Sequence, residues 1–133
     1  MAGLRAPRSL FLAAIFEHAD VSGAQLEGAV FQQTDAAATR FDGADLSKTV
    51  WDGSRHADVS FAGADLRYSR FDHARGTRID FDRAMLDSSR FHGAAWQDTT
   101  WRGASRRHIQ GTNAALLAAE ARTLSTQESM EES

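Results

Sequence analysis

The sequence has no cysteine, one proline and one tyrosine in 133 residues. Without cysteine it has no disulfide framework, no thiolate metal ligand and no cysteine nucleophile. It also has no excess of basic residues, because 15 Lys and Arg stand against 18 Asp and Glu, a formal net charge of −3. That balance excludes a nucleic-acid binder that works by releasing counterions from phosphates. No apolar run approaches the roughly 18 residues of a membrane span. We therefore expect a cytoplasmic protein of one domain with no nucleic acid or membrane as direct partner.

What the sequence does contain is a five-residue repeat. Large apolar residues recur at every fifth position, and a small or β-branched residue lies two positions before each of them, as Ala24 and Thr49 do. This register runs from about Ser9 to His108, too far for two linked positions to stay in phase by chance. The large residues are Leu26, Phe31, Phe41, Leu46, Trp51, Phe61, Leu66, Phe71, Phe81, Leu86, Phe91, Trp96 and Trp101.

A period of twenty lies over the period of five. The segments at 21–26, 41–46, 61–66 and 81–86 align without a gap. Four pentads per unit predict a coil with four short sides and four corners. In extended chain alternate residues share a face, so each large residue and the small residue two places before it point inward. Glycine follows many of these centres by two positions, which predicts corners with positive φ; these are Gly23, Gly43, Gly53, Gly63, Gly93 and Gly103.

The motif resembles that of the pentapeptide-repeat family, which reads roughly Ala-Asp/Asn-Leu/Phe-x-x. The residues that carry the resemblance are at 34–36, 44–46, 64–66 and 79–81, and the register covers about 100 of the 133 residues. The resemblance implies an all-β solenoid, a right-handed quadrilateral parallel β-helix. With about five 20-residue coils, it would occupy residues 9–110.

The two ends depart from the repeat. Residues 1–8 are expected to be a flexible lead-in. The apolar stretch at 9–16 follows Arg5 and Arg8 as in a secretion signal, but it keeps the repeat register, which favours a first coil. Residues 112–124 predict a short α-helix with one apolar stripe, and residues 125–133 a disordered tail. The helix could cap the last coil or join two copies in a homodimer; its stripe includes Ala114, Leu117, Ala121 and Leu124.

No catalytic constellation is present in the sequence. There is no phosphate-binding loop, and the histidines are scattered, so we expect no enzyme activity, no cofactor and no metal site. One polar residue, His56, falls at an inward position between the small residues Ala36 and Gly76. The favoured interpretation is a core histidine that fills their space and bonds to the backbone. The alternative is a ligand-binding notch.

The charges are divided along the chain. Residues 17–65 hold nine acids and three bases, whereas residues 66–110 hold five acids and nine bases. Stacking by twenties gathers four acids near one corner and three arginines near the next. These could be a laterally paired, solvated surface or two complementary protein-binding patches. The acidic group is Asp42, Asp45, Asp65 and Asp82; the basic group is Arg67, Arg70 and Arg90.

Two functions are compatible with these features. The first is a non-enzymatic interaction scaffold or adaptor, a rigid charge-polarised rod that binds a protein partner, such as a component of a larger bacterial assembly. The alternative, which the family resemblance implies, is a DNA mimic that regulates a type II topoisomerase such as gyrase. Mimicry needs a strongly negative surface, but residues 9–110 hold 14 acids and 12 bases. The charge balance therefore favours the scaffold.

Overall fold

The computed structural model describes residues 3–111, which form one parallel sheet and a stack of regular coils. The strands are β1 (Ile15–Glu17), β2 (Asp35–Ala37), β3 (Arg55–Ala57), β4 (Arg75–Thr77) and β5 (Ala95–Gln97). They lie in sequence order, and each pairs in parallel with the strand twenty residues later. Four complete turns separate β1 from β5.

Three further ladders of parallel bridges give each coil its other sides. The first side contains Arg5, Gln25, Asp45, Asp65, Met85 and Ser105; the second contains Leu10, Val30, Val50, Arg70, Arg90 and Gln110. The strands form the third side, and the fourth contains Asp20, Arg40, Ser60, Asp80 and Thr100. One bridge per pentad on each of four sides confirms the predicted four-sided, all-β solenoid.

The interior is filled by the residues of the five-residue register. Leu46, Trp51 and Phe61 are wholly buried, and the small or β-branched residues that precede the centres are also buried from Ala24 to Thr99. The aromatic rings stack from coil to coil in two columns, with Phe31 and Trp51 at 4.1 Å between centroids in one and Phe41 and Phe61 at 5.3 Å in the other. Burial of these rings supplies the main stabilising free energy, since no helix or disulfide supports the described coils.

The corners have the backbone conformation that the glycines predict. Gly43 and Gly63 have φ of 65° and 66°, and the same position in other pentads has positive φ even where the residue is not glycine, as at Ala38 with φ of 49°. The corner is therefore set by the coil geometry, and glycine only lowers its cost.

Replacing Gly43 by alanine should destabilise the protein through backbone strain alone. A Cβ at Gly43 would meet nothing within 4 Å, so the cost is that of a left-handed residue with a side chain, about 1 kcal/mol. The matched reverse change, Ala38→Gly, should not destabilise. Urea unfolding measures both; a neutral Gly43→Ala together with a destabilising Ala38→Gly would contradict this account.

The solenoid begins earlier than the sequence predicts. The amide of Gly3 donates to the carbonyl of Ser22 at 3.0 Å, and that of Ala6 to Gln25 at 2.9 Å. Residues 3–8 are thus part of the first coil, not a loose lead-in: Ala6 occupies a centre, and Arg8, two positions later, has the positive φ of a corner, 58°. The predicted helix at 112–124, with Ala114, Leu117, Ala121 and Leu124, and the predicted tail at 125–133 lie outside the described residues.

Candidate functional site

The acidic group is bound into the coil by hydrogen bonds. The Asp45 carboxylate accepts from the amide and hydroxyl of Ser47 at 3.2 and 2.8 Å. Asp42 accepts from the Ser60 hydroxyl and pairs with Arg40 at 3.0 Å. On the first side, Asp45 lies directly beside Asp65 in the next coil. These carboxylates therefore have structural partners as well as solvent exposure.

A recurring hydrogen bond from a backbone amide at the corners of the coil explains why aspartate is so frequent. The amide that follows each centre often donates to a carboxylate instead of a backbone carbonyl. The acceptor is either two residues earlier, as Asp65 is for Arg67 at 3.2 Å, or one full turn earlier. Acceptors one turn earlier are Asp72 for His92 at 3.1 Å, Asp82 for Arg102 at 2.9 Å and Asp87 for Arg107 at 2.8 Å. Sequence reasoning missed this role, although aspartate at two fixed positions of the pentad was its signal.

The three basic residues are each held by carboxylates. Arg67 pairs with Asp65 at 2.7 Å. This hydrogen bond, then the one from the Arg67 amide and then the guanidinium charge, lower the pKa of the Asp65 carboxyl. Arg70 contacts Asp52 at 2.6 Å, and Arg90 contacts Asp72 at 3.2 Å. Asp72 also lies 3.9 Å from Arg70, so one carboxylate separates two stacked arginines. The structure thus brings Arg70 and Arg90 together on the second side and places Arg67 at the adjoining corner.

Ion pairs between neighbouring coils offset much of the charge division along the rod. Two of them join the acidic stretch at 17–65 to the basic stretch at 66–110, Asp52 with Arg70 at 2.6 Å and Asp58 with Arg78 at 2.6 Å. A further pair between the two stretches, Asp65 with Arg67 at 2.7 Å, lies within one coil. The laterally paired arrangement that the sequence left open is therefore present for Arg70 and Arg90 of the basic group.

His56 is a core residue, but its partner differs from the prediction. It is 4% exposed, and its Nε2 lies 2.8 Å from the Ser54 hydroxyl rather than from a backbone group. Because that hydroxyl donates to the Trp51 carbonyl at 2.7 Å, Nε2 carries the proton and donates to Ser54. Nδ1 has no partner, and burial lowers the pKa of His56 to about 3.

The space beside His56 is filled by an aromatic ring from two coils away. Gly76 lies between His56 and Trp96 in the ladder, and a Cβ at Gly76 would overlap the Trp96 ring. The His56 and Trp96 rings come within 6.2 Å between centroids. His56 therefore does not itself fill the place of Gly76, since Trp96 bends over the glycine and occupies it.

The first coil carries an apolar surface that sequence reasoning did not single out. Leu10, Leu12 and Ile15 are 67%, 59% and 70% exposed. Beside them a shallow groove of about 260 Å³ lies over β1, β2 and β3, with Ile15, Glu17 and Arg55 among its lining residues. The signal was available, because large apolar side chains at outward pentad positions are rare elsewhere in the repeat.

Within residues 3–111, no group of three or more His, Asp or Glu side chains is arranged to hold a metal ion. The same part of the chain contains no helix long and apolar enough to span a membrane.

The comparisons identify the repeat. The family model for pentapeptide repeats matches residues 14–50 with eight copies, and the structure continues the same register to Gln110. The resemblance to the pentapeptide-repeat family is thus confirmed. No curated relative matches the chain.

The solved structures that are similar to the chain include those of three other proteins. One is the pentapeptide repeat protein Rfr23 from the cyanobacterium Cyanothece 51142, with 9% identity, a TM-score of 0.42, and coverage of 79% of this chain and 89% of that one. Another is full-length QnrB1, a plasmid-mediated fluoroquinolone resistance protein, with 12% identity, a TM-score of 0.27, and coverage of 92% and 97%. A pentapeptide repeat protein from the Arabidopsis thaliana thylakoid lumen has 16% identity, a TM-score of 0.34, and coverage of 71% and 62%.

Proposed function

We propose that the protein is a non-enzymatic scaffold whose first and second sides bind a protein partner through the basic group Arg67, Arg70 and Arg90. The observation that carries this proposal is that the three side chains are held by carboxylates and yet remain exposed to solvent. Their exposed fractions are 49%, 45% and 42%. A guanidinium that is already ordered loses less side-chain entropy when it binds, and arginine is enriched among residues that dominate interface energies.

The surroundings of the basic group support a protein partner. Asp45 and Asp65 lie beside it on the first side, so opposite charges alternate across one corner of a stiff rod. Such a pattern selects a partner of complementary charge order and sets its register. The interior column of stacked rings supplies the stiffness, because close-packed side chains resist deformation.

Charge reversal of the basic group should abolish capture of the partner from a lysate of the source organism. The test variant is Arg67→Glu, Arg70→Glu and Arg90→Glu in a tagged full-length chain. The matched control reverses three ion-paired arginines on other sides, Arg40, Arg55 and Arg78. We expect the control to retain the partner, with circular dichroism unchanged in both variants.

Two results would contradict the proposal. One is undiminished capture by the test variant, which would reduce the basic group to a solvated surface. The other is inhibition of gyrase supercoiling by micromolar protein together with recovery of gyrase subunits. That result would support the DNA-mimic alternative.

A further inference from the structure

The first coil, residues 3–22, leaves one edge of the β-ladder open. In the next coil Val30 directs both backbone groups toward the first coil, since its amide donates to Ser9 at 2.8 Å and its carbonyl accepts from Phe11 at 2.7 Å. The same ladder geometry directs the amide and carbonyl of Leu10 away from the second coil. Arg5, Ile15 and Asp20 hold the equivalent places on the other sides, and residues 3–111 offer these groups no partner.

Apolar side chains flank this edge. Leu10, Leu12 and Ile15 are three of the five large hydrophobic residues exposed in the described chain. An open β-edge beside exposed apolar residues is a template for pairing with another chain. The charges of the same coil are also divided, with Arg5 and Arg8 before the apolar residues and Glu17 and Asp20 after them.

We propose that two copies of the protein pair first coil to first coil, about a twofold axis that lies across the end of the solenoid and passes through the corner at Leu12 and Ala13. Residue i of one copy then faces residue 25 − i of the second copy. The rods point in opposite directions, and the facing edges run antiparallel. This register is favoured by the complementarity of the side chains that it brings together.

The twofold axis exchanges the second side with the third and the first side with the fourth. Leu10 therefore faces Ile15 of the second copy, which covers the exposed apolar residues. Arg8 faces Glu17 of the second copy, and in the same way the guanidinium of Arg5 faces the carboxylate of Asp20. Opposite charges thus meet on both sides of an apolar centre, as in a complementary interface.

Backbone geometry is compatible with the same register. In antiparallel pairing two facing residues can exchange both N–H···O=C bonds, which is what Leu10 and Ile15 have free. Each coil climbs steadily along the rod by about 4.8 Å per turn. Because the numbers of facing residues always sum to 25, the distance along the rod between the two facing first coils is the same at every side.

The size of the contact is adequate for an isologous dimer. The first coil contributes 20 residues from each copy, within the about 20–30 residues per side of a standard interface. Inside the edge, the partly buried ring of Phe11 would meet that of Phe16 from the second copy. These rings now end the aromatic stack, with centroids 6.2 Å apart within one chain.

Analytical ultracentrifugation of the full-length chain tests the interface. We expect a dimer at micromolar concentration and a dissociation constant at least 100-fold higher for Leu10→Asn with Ile15→Asn. Tyr68→Asn is the matched control, since Tyr68 is 62% exposed but lies three coils away. A wild-type monomer at 100 μM would overturn the proposal. So would a dimer unaffected by the Leu10 and Ile15 changes, which would indicate another interface, such as residues 112–124.

A charge exchange tests the register. Neither Arg8 nor Glu17 makes a side-chain hydrogen bond or an ion pair within residues 3–111, so changing them should leave the fold intact. Arg8→Glu alone and Glu17→Arg alone should each raise the dissociation constant at least tenfold, because like charges then face each other twice in the dimer. The double variant should restore it, and absence of rescue would overturn the register.

The natural lack of cysteine allows a direct distance test. A cysteine at Leu12 would lie next to the twofold axis, where two copies can reach the Cα separation of about 4.4–6.8 Å that a disulfide requires. Under mild oxidation Leu12→Cys should form a covalent dimer. Gln32→Cys, at the same corner one coil further on, should not. Equal cross-linking of the two variants would contradict the proposed interface.

Discussion

Phe61→Ala should lower the free energy of unfolding by about 3–5 kcal/mol, the usual cost of removing a buried aromatic side chain. Phe61 is fully buried in the middle of the solenoid. Its ring stacks on Phe41 at 5.3 Å and on Phe81 at 5.2 Å, and it meets the edge of Trp51 at 5.6 Å. The substitution therefore leaves a cavity between two coils and interrupts a continuous column.

Because Phe61 lies in a central coil of a repeat protein, its replacement should also affect the cooperativity of unfolding. Each coil contacts only its neighbours, so stability is close to a sum of coil and nearest-neighbour terms. Weakening one central contact should also broaden the transition, because the two halves can then unfold at different urea concentrations. The measurement is urea unfolding followed by circular dichroism and by tryptophan fluorescence.

Two control substitutions distinguish the destabilising effect of the cavity from the effect of replacing an aromatic residue in general. Phe61→Leu retains most of the volume and should cost much less than alanine. Tyr68→Ala removes an exposed ring and should change stability by no more than about 0.5 kcal/mol. A loss below about 1 kcal/mol for Phe61→Ala would mean that the ring column is not the main source of stability.

The five-residue register predicts the described fold almost completely, for a physical reason. A four-sided coil admits only two inward positions per pentad, and both are visible in the sequence as large and small residues. Gly43 and Gly63 likewise reveal the corner conformation. The predicted start of the solenoid at residue 9 was too late, because Ala6 stands at a centre position where the repeat usually has a large apolar residue. A small residue at a centre gives no sequence signal for a side of the coil.

The outer surface was less predictable, because its contacts depend on which coil a long side chain reaches. Arg70 could have bonded to an acid in its own coil or in either neighbour, and the pentad pattern does not decide among them. The structure selects Asp52, in the preceding coil. Trp96 is a similar case inside the core. Its place in the register predicted burial, but only the structure shows that its ring occupies the space over Gly76.

His56 should make the protein less stable as the pH falls below about 6.5. Burial lowers the pKa of His56 to about 3 in the folded chain, whereas the unfolded chain has the ordinary value of 6.5. Between these values the unfolded state binds a proton that the folded state does not, so the folded state loses stability with falling pH. The slope is about 1.4 kcal/mol per pH unit, or about 2–3 kcal/mol between pH 6.5 and 4.5.

The variant His56→Phe isolates this contribution. Phenylalanine keeps a ring in the column beside Trp96 and cannot be protonated, so the difference in unfolding free energy between the two proteins should change by about 2–3 kcal/mol from pH 7.5 to 4.5, in favour of the variant at low pH. The Asp58 and Asp65 carboxyls, whose pKa values are lowered by hydrogen bonds from Arg78 and Arg67, contribute equally in both proteins and cancel in the difference. Urea unfolding at several pH values gives the difference directly. A difference independent of pH would contradict this account, because it would mean that the imidazole binds a proton as readily in the folded state as in the unfolded state.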